Sequence, residues 1–269
     1  MFVVLSVTQR NLNPWGRLLY RHKKPLMHLE PAAYLGRRYA ILHVERFGSM
    51  DWPQVRRICG LYADRLLCPR DCLPPTDCPL PRPSFPRFTQ ELLLQTACAI
   101  AAQSGLPLYR RVLGLYDPAG AWAPMLFPLL HHYTAIRVVT HATAAYQAAA
   151  HRMITELGAP VLIGDDIAAL ADCALVLCPD TAIDIAHLTC PVLLAAPPTQ
   201  AKAPVHWLAP YAVRPTENLW RQCPPGITPH DFAGALYEFS GLPASAFTVG
   251  QLVKNYQIVD FSIAIQSIN

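Results

Sequence analysis

The sequence predicts a two-domain α/β protein whose C-terminal part is built on a parallel sheet. Two observations carry this reading. Four short apolar runs, at residues 112–116, 136–140, 161–163 and 174–178, are each too short for a buried helix and are closed by polar or turn-forming residues. Between the second and third lies a helical stretch, residues 143–157, with Tyr146, Ala149, Met153 and Leu157 near helical spacing and Gly158 as its stop. Strand, helix, strand at this pitch is a parallel βαβ arrangement. Charge is also uneven along the chain. Residues 1–107 carry 14 Lys and Arg against 7 Asp and Glu, whereas residues 108–269 carry 8 against 11. The basic part suits an anionic substrate, a cofactor phosphate or nucleic acid, and a solvated arginine-rich surface facing a mildly acidic partner domain at least as well; no nucleic-acid-binding signature accompanies it.

The N-terminal elements give residues 1–107 an α/β character of their own. Residues 1–7 read as a strand rather than a leader peptide, because no basic start and no small-residue cleavage site accompany the apolar run. A polar, turn-prone segment through Asn13-Pro14-Trp15-Gly16 follows, and residues 39–47 alternate like a second strand. Asp51 caps a helix over residues 52–63 with Pro53 in its first turn. Residues 65–68 are a short strand. Residues 68–88 form a proline-rich connection, stiff and extended. Its Cys68, Cys72 and Cys78 are spaced C-x3-C-x5-C, too open for a radical-type iron–sulfur site and one ligand short of a structural zinc site. A helix over residues 89–104, capped by Thr89 under a Phe88 staple and ended by Gly105 and Pro107, leads to a domain boundary near residue 107.

Beyond the four strands, residues 180–188 read as helical and 191–195 as a fifth strand. Asp180, Asp184 and His187 fall at i, i+4 and i+7, where a carboxylate could orient an acid–base histidine; the same residues read more simply as a cap and a helix start. Asp165 and Asp166 cap a short helix, and His131, His132 and His141 read as packing residues. Residues 197–228 are proline-rich and irregular, and a helix over 230–240 is stopped by Gly241-Leu242-Pro243. The apolar tail from Gln251 suits strand or helix, docked on the core or on a second subunit, so a homodimer is open to it. With 52% apolar and 15% charged residues the chain can bury a substantial core. It has no apolar run long enough for a transmembrane helix. Nine scattered cysteines fit buried thiols in a reducing cytoplasm.

The segments RVLGLYD, TAIRVVTHA, ITELGAPV, DDIAAL and ADCALVLCP, in this order over roughly residues 108–200, resemble the nucleotide-binding domain of shikimate dehydrogenases and glutamyl-tRNA reductases. The resemblance implies a Rossmann-like C-terminal domain (108–269), a smaller N-terminal α/β domain (1–107) and a nicotinamide cofactor. Its sites would be the turn Asp117, Ala119, Gly120, Ala121 and Trp122, the second-strand end Thr140 and His141, and the strand end Pro179 and Asp180. A small-molecule ligand is then expected in a cleft between the domains, bordered by Gly120, Thr140 and Pro179. The lysine–aspartate pair or cysteine nucleophile of those enzymes has no match here.

The phosphate loop departs from the dinucleotide pattern. Tyr116-Asp117-Pro118-Ala119-Gly120-Ala121 holds one glycine, Pro118 lacks an N–H, and Asp117 repels phosphate unless it turns away. Pro124 suits a first helical turn, but Pro128 should kink or delay that helix. No acidic residue ends the second strand; Thr140 and His141 favour the 2′-phosphate of NADP over a free ribose. Replacing Asp117 and Pro118 by glycine is expected to tighten NADP binding. Three functions fit: an NADP-dependent oxidoreductase, a non-catalytic metabolite- or partner-binding descendant, and a binder of another nucleotide or S-adenosyl ligand.

Overall fold

The computed structural model describes residues 1–9, 26–46, 49–78, 80–179, 188–199 and 205–266. The chain divides into two compact units, Met1–Phe88 with Arg214–Phe247, and Thr89–Val213 with Thr248–Asn269. The division thus falls at Phe88 rather than near residue 107, and the segment Arg214–Phe247 returns to the N-terminal unit. Asp180, Asp184, His187 and the Asn13–Gly16 turn lie outside the described residues.

In the first unit a four-stranded sheet has the order β2-β3-β1-β4, with β1 Val3–Gln9, β2 Leu26–Tyr34, β3 Arg37–Arg46 and β4 Leu66–Leu67. β1 runs parallel to β3 and β4, while β2 pairs antiparallel with β3 from Leu26↔Glu45 to Tyr34↔Arg37. β2 was not expected as a strand. Pro31 interrupts its pattern, which an edge position tolerates because one side of the strand needs no ladder donor. One face of the sheet packs Val3, Leu5, Leu42 and Val44 on Val55 and Cys59 of α1, Trp52–Cys59. Asp51 caps α1 as expected, accepting from the Gln54 N–H at 3.0 Å. The helix gives way to a 3-10 turn at Gly60, short of residue 63.

Helix α2, Pro86–Gln103, begins three residues before the expected start at Thr89. Its first free donors, the N–H groups of Arg87 and Phe88, are taken by the Glu238 carboxylate at 3.0 and 3.2 Å, a cap supplied from far along the sequence. Glu238 sits on α6, Pro229–Ser240, which follows the short α5, Glu217–Gln222, starts one residue before the expected His230 and is capped by Thr228.

The ring of His230, at the start of α6, stands edge-on to Phe88 at 5.2 Å, and its buried Nδ1 has no hydrogen-bond partner among the described residues. Burial lowers its pKa below the usual 6.5, with Asp231 opposing and Arg70 adding to the shift. A depressed histidine pKa means that the unfolded chain binds the proton first as pH falls. Stability is therefore expected to drop with acidification below about pH 6.5. His230→Phe should flatten the drop in a urea-midpoint series between pH 7 and 5. An unchanged slope would show that His230 is not its source.

The second unit is organised on an eight-stranded sheet ordered β12-β11-β10-β9-β8-β5-β6-β7. Its strands are β5 Val112–Tyr116, β6 Ala135–Val139, β7 Val161–Gly164, β8 Leu175–Cys178, β9 Val192–Leu194, β10 Trp207–Pro215, β11 Phe247–Lys254 and β12 Gln257–Asp260. Adjacent strands from β7 through β10 all pair parallel. The six strands from β5 to β10 therefore stand in the spatial order 3-2-1-4-5-6, the order of dinucleotide-binding doubly wound sheets. The fold class expected from the sequence is the one observed. Two elements depart from expectation. β10 lies inside the stretch read as irregular, and the tail is both strand and helix: a β11–β12 hairpin, then α7, Phe261–Gln266.

Candidate functional site

In an open parallel sheet, the chain leaves neighbouring strands in opposite directions where the strand order reverses, and a crevice opens at the carboxyl ends. Here that point lies between β5 and β8. It places Asp117 after the end of β5 and Pro179 after the end of β8, with Thr140 after β6 alongside. Helix α4, Thr143–Leu157, follows Thr140 and covers its side of the sheet through Tyr146 and Met153.

The turn after β5 is held from within. Asp117 is buried, and its Oδ2 accepts the Trp122 N–H at 2.7 Å and the Tyr146 hydroxyl at 2.5 Å. Burial, and then the hydrogen bond to this carboxylate, push the Tyr146 hydroxyl far above its ordinary value, so it stays a donor. The carboxylate has turned away from solvent, which removes the repulsion that its place in the loop implied. It does so by taking one of the loop's own backbone donors. The N–H groups of Ala119 and Ala121, both on exposed residues, make no hydrogen bond among the described residues.

The loop also leans on the segment after β6. His141 donates its N–H to the Pro118 carbonyl at 3.3 Å, and Asp117 donates its N–H to the Val139 carbonyl at 3.0 Å. Gly120 has a φ of +75°, and a Cβ there would lie 2.8 Å from the Ala142 Cβ and 3.1 Å from the Ala145 Cβ. Only glycine permits both the backbone angle and this approach. Gly120 therefore serves the packing of the loop on α4 and the turn before it.

Thr140 and His141 differ in availability. Thr140 is buried, and its hydroxyl accepts the Ala142 N–H at 3.0 Å, closing the turn into α4. It is not directed to an incoming phosphate. His141 is exposed and leaves its imidazole to solvent. After the loop the chain makes a 3-10 turn, Ala123–Met125, and then only the five-residue helix α3, Leu126–Leu130, which contains Pro128. The helix begins only at Leu126, the delay expected from Pro128, and the long helix that usually faces a pyrophosphate is missing among the described residues. His131 packs edge-on against Phe127 at 5.7 Å.

No protein-family model matches the chain, and no curated protein does. Among solved structures it resembles the quinate dehydrogenase of Corynebacterium glutamicum in complex with NAD, at 13% identity and TM-score 0.34 over 99% of this chain and 98% of that one. Mycobacterium tuberculosis shikimate dehydrogenase is similar at 12% identity and TM-score 0.30, over 99% and 100%. The Δ1-pyrroline-2-carboxylate reductase of Thermococcus litoralis, with NADH and L-proline, matches at 11% identity and TM-score 0.31 over 40% of this chain, which spans 36% of that protein's length. The doubly wound topology rests on the strand order and register above, independently of these likenesses.

Two cavities open in the first unit, and neither touches Gly120, Thr140 or Pro179. One of about 220 Å³ is lined by Leu66, Leu67, Cys68, Leu80, Phe85 and Asp231 among others. The other, about 210 Å³, includes Ser6, Arg46, Asp71, Cys72 and Gly226. The structure also brings Cys59 into one apolar cluster with Cys68, Cys72 and Cys78. Burial pushes the Cys68 thiol up to about 12 and that of Cys59 to about 11, which leaves them protonated and poor nucleophiles.

Proposed function

We propose that the second unit is the nicotinamide-dinucleotide domain of an oxidoreductase acting on a small molecule, with NADP as cofactor. The observation that carries this is the 3-2-1-4-5-6 strand order, which sets the loop after β5 at the crevice where such sheets bind ligands. Three features support the fit. Asp117 is turned inward, the Ala119 and Ala121 N–H groups remain for a pyrophosphate, and His141 offers an exposed imidazole where NAD-binding proteins keep an acid. The chemistry such a cofactor supplies is hydride transfer; this chain's residues would hold the phosphates and orient the ribose. Ala119, Gly120, Ala121, Trp122, His141 and Pro179 are the proposed border of the site, with Asp117 and Thr140 acting through the loop. Binding should be weak, because Trp122 N–H is committed to Asp117 and Pro118 has none.

One observation favours a second reading, a non-catalytic binder on the same scaffold. The loop is tied to the Thr140–Ala142 turn through Pro118 and Gly120, against the side where a ribose would enter. Calorimetry decides between them. The wild type is expected to bind NADP in the submillimolar range and more tightly than NAD. The variant Asp117→Gly/Pro118→Gly/Tyr146→Phe, which gives position 118 an N–H and removes the carboxylate without orphaning the tyrosine hydroxyl, should bind NADP about tenfold tighter, as one regained charge-assisted hydrogen bond provides. If neither protein binds either dinucleotide at millimolar concentration, the oxidoreductase reading fails and the non-catalytic one replaces it.

A further inference from the structure

We propose that the first unit carries a divalent transition-metal site, with zinc as its preferred ion, built from His28, Glu30 and His43. His28 of β2 and His43 of β3 are directly opposite in the antiparallel ladder, so both side chains leave the same sheet face. Their rings stack at 4.7 Å with an interplanar angle of 15°. Glu30 stands two residues along β2 from His28, on that same face, and its Oε2 lies 2.9 Å from His43 Nε2. One ligand atom from each of the three residues lies within 4.8 Å of the other two. This is the only such three-residue group among the described residues.

The donor set selects the ion. Two imidazoles and one carboxylate suit Zn²⁺, Co²⁺ and Ni²⁺, whereas Mg²⁺ and Ca²⁺ take oxygen ligands. At metal–ligand distances of about 2.0–2.2 Å in tetrahedral array, neighbouring donors stand roughly 3.4 Å apart. The present separations, within 4.8 Å, exceed this by at most about 1.4 Å, a difference for side-chain rotation to close. The platform is suited to hold them. All nine residues of β2 are paired with β3, so the three Cα positions are fixed before an ion arrives. With His28 and Glu30 exposed and His43 part-exposed, the site is reached directly from solvent. Three protein ligands leave at least one position for water or a further ligand. A bound ion would also clip the edge strand to its neighbour, on the sheet face opposite the Val3–Leu42 core.

The test is a zinc titration of the full chain by calorimetry, paired with Co²⁺ absorption. One equivalent should bind, with a visible Co²⁺ spectrum of nitrogen and oxygen ligands. His28→Ala, His43→Ala and Glu30→Gln should each weaken binding at least about tenfold, the least expected when even an outer partner of a metal ligand is lost. His151→Ala, an exposed histidine of α4, should leave it unchanged. Melting temperatures without metal are measured for every variant. Glu30→Gln is nearly isosteric at an exposed position, so it reports ligation even where an alanine variant is destabilised. Zinc binding unaltered by all three substitutions would overturn the site. So would a thiolate-to-cobalt charge-transfer band in the near ultraviolet, which assigns the metal to the cysteines instead.

Discussion

Asp117→Ala is expected to lower the unfolding free energy by about 3 kcal/mol, because it leaves two buried donors without an acceptor at about 1–3 kcal/mol each. The Trp122 N–H and the Tyr146 hydroxyl both end on the same oxygen, Oδ2. Trp122 and Tyr146 are themselves almost fully buried, so water does not readily replace the lost partner. Tyr146→Phe removes one donor together with its need for a partner and should cost less, about 1–2 kcal/mol. Because the two residues share one bond, the double variant Asp117→Ala/Tyr146→Phe should be less destabilised than the sum of the single ones. Urea unfolding of the four proteins measures this. Additive costs would show that the carboxylate and the hydroxyl do not act together, and an Asp117→Ala protein as stable as wild type would remove the residue from the loop's scaffold.

The elements that could be read from residue order are those whose pattern is local. β5 to β9 are short apolar runs between turn formers, and α4 keeps its stripe from Thr143 to Gly158, so periodicity alone located them. β10 escaped because Pro210 and Pro215 interrupt it. Its pairing with β9 runs through Trp207 and Leu208, ahead of the first proline. The tail divided in a way no single period describes. Asn255 and Tyr256 take positive φ angles of 47° and 67°, which close the β11–β12 hairpin, and the chain turns helical directly after it.

The candidate site was less readable for a different reason. A carboxylate in a phosphate loop reads as an obstacle until its partner is known, and Tyr146 lies 29 residues away on another element. The available signal was the tyrosine's place on the buried stripe of α4, since a buried hydroxyl needs an acceptor. Thr140 misled in the opposite direction. Its hydroxyl looked like a ligand donor and is used by the Ala142 N–H. The histidine pair and Glu30 were invisible for want of β2, whose register alone sets His28 against His43.

Gly114→Ala, at the centre of β5, is expected to destabilise the protein by about 2 kcal/mol, although the backbone there accepts alanine. Gly114 is not among the positive-φ residues, so the substitution restricts the unfolded chain and by itself would stabilise by about 0.4–1 kcal/mol. Packing decides the sign. The new Cβ would lie 2.9 Å from Val176 Cγ2, 3.0 Å from Leu170 Cδ2 and 3.2 Å from Cys173 Sγ. Val176 is the hardest of these to move. It is fully buried on the neighbouring central strand β8, and its branched side chain has few rotamers open to it. Overpacking in such a core costs about 1–3 kcal/mol, more than the entropy returns. Val176→Ala introduced alongside should recover part of the loss, since it removes the nearest clashing methyl while the two Cβ atoms together refill the space. Denaturant midpoints of the two single variants and the double variant measure both effects. A Gly114→Ala protein as stable as wild type, or a double variant at the sum of the single losses, would mean that β5 and β8 have room to separate and that close approach is not why glycine stands at this position.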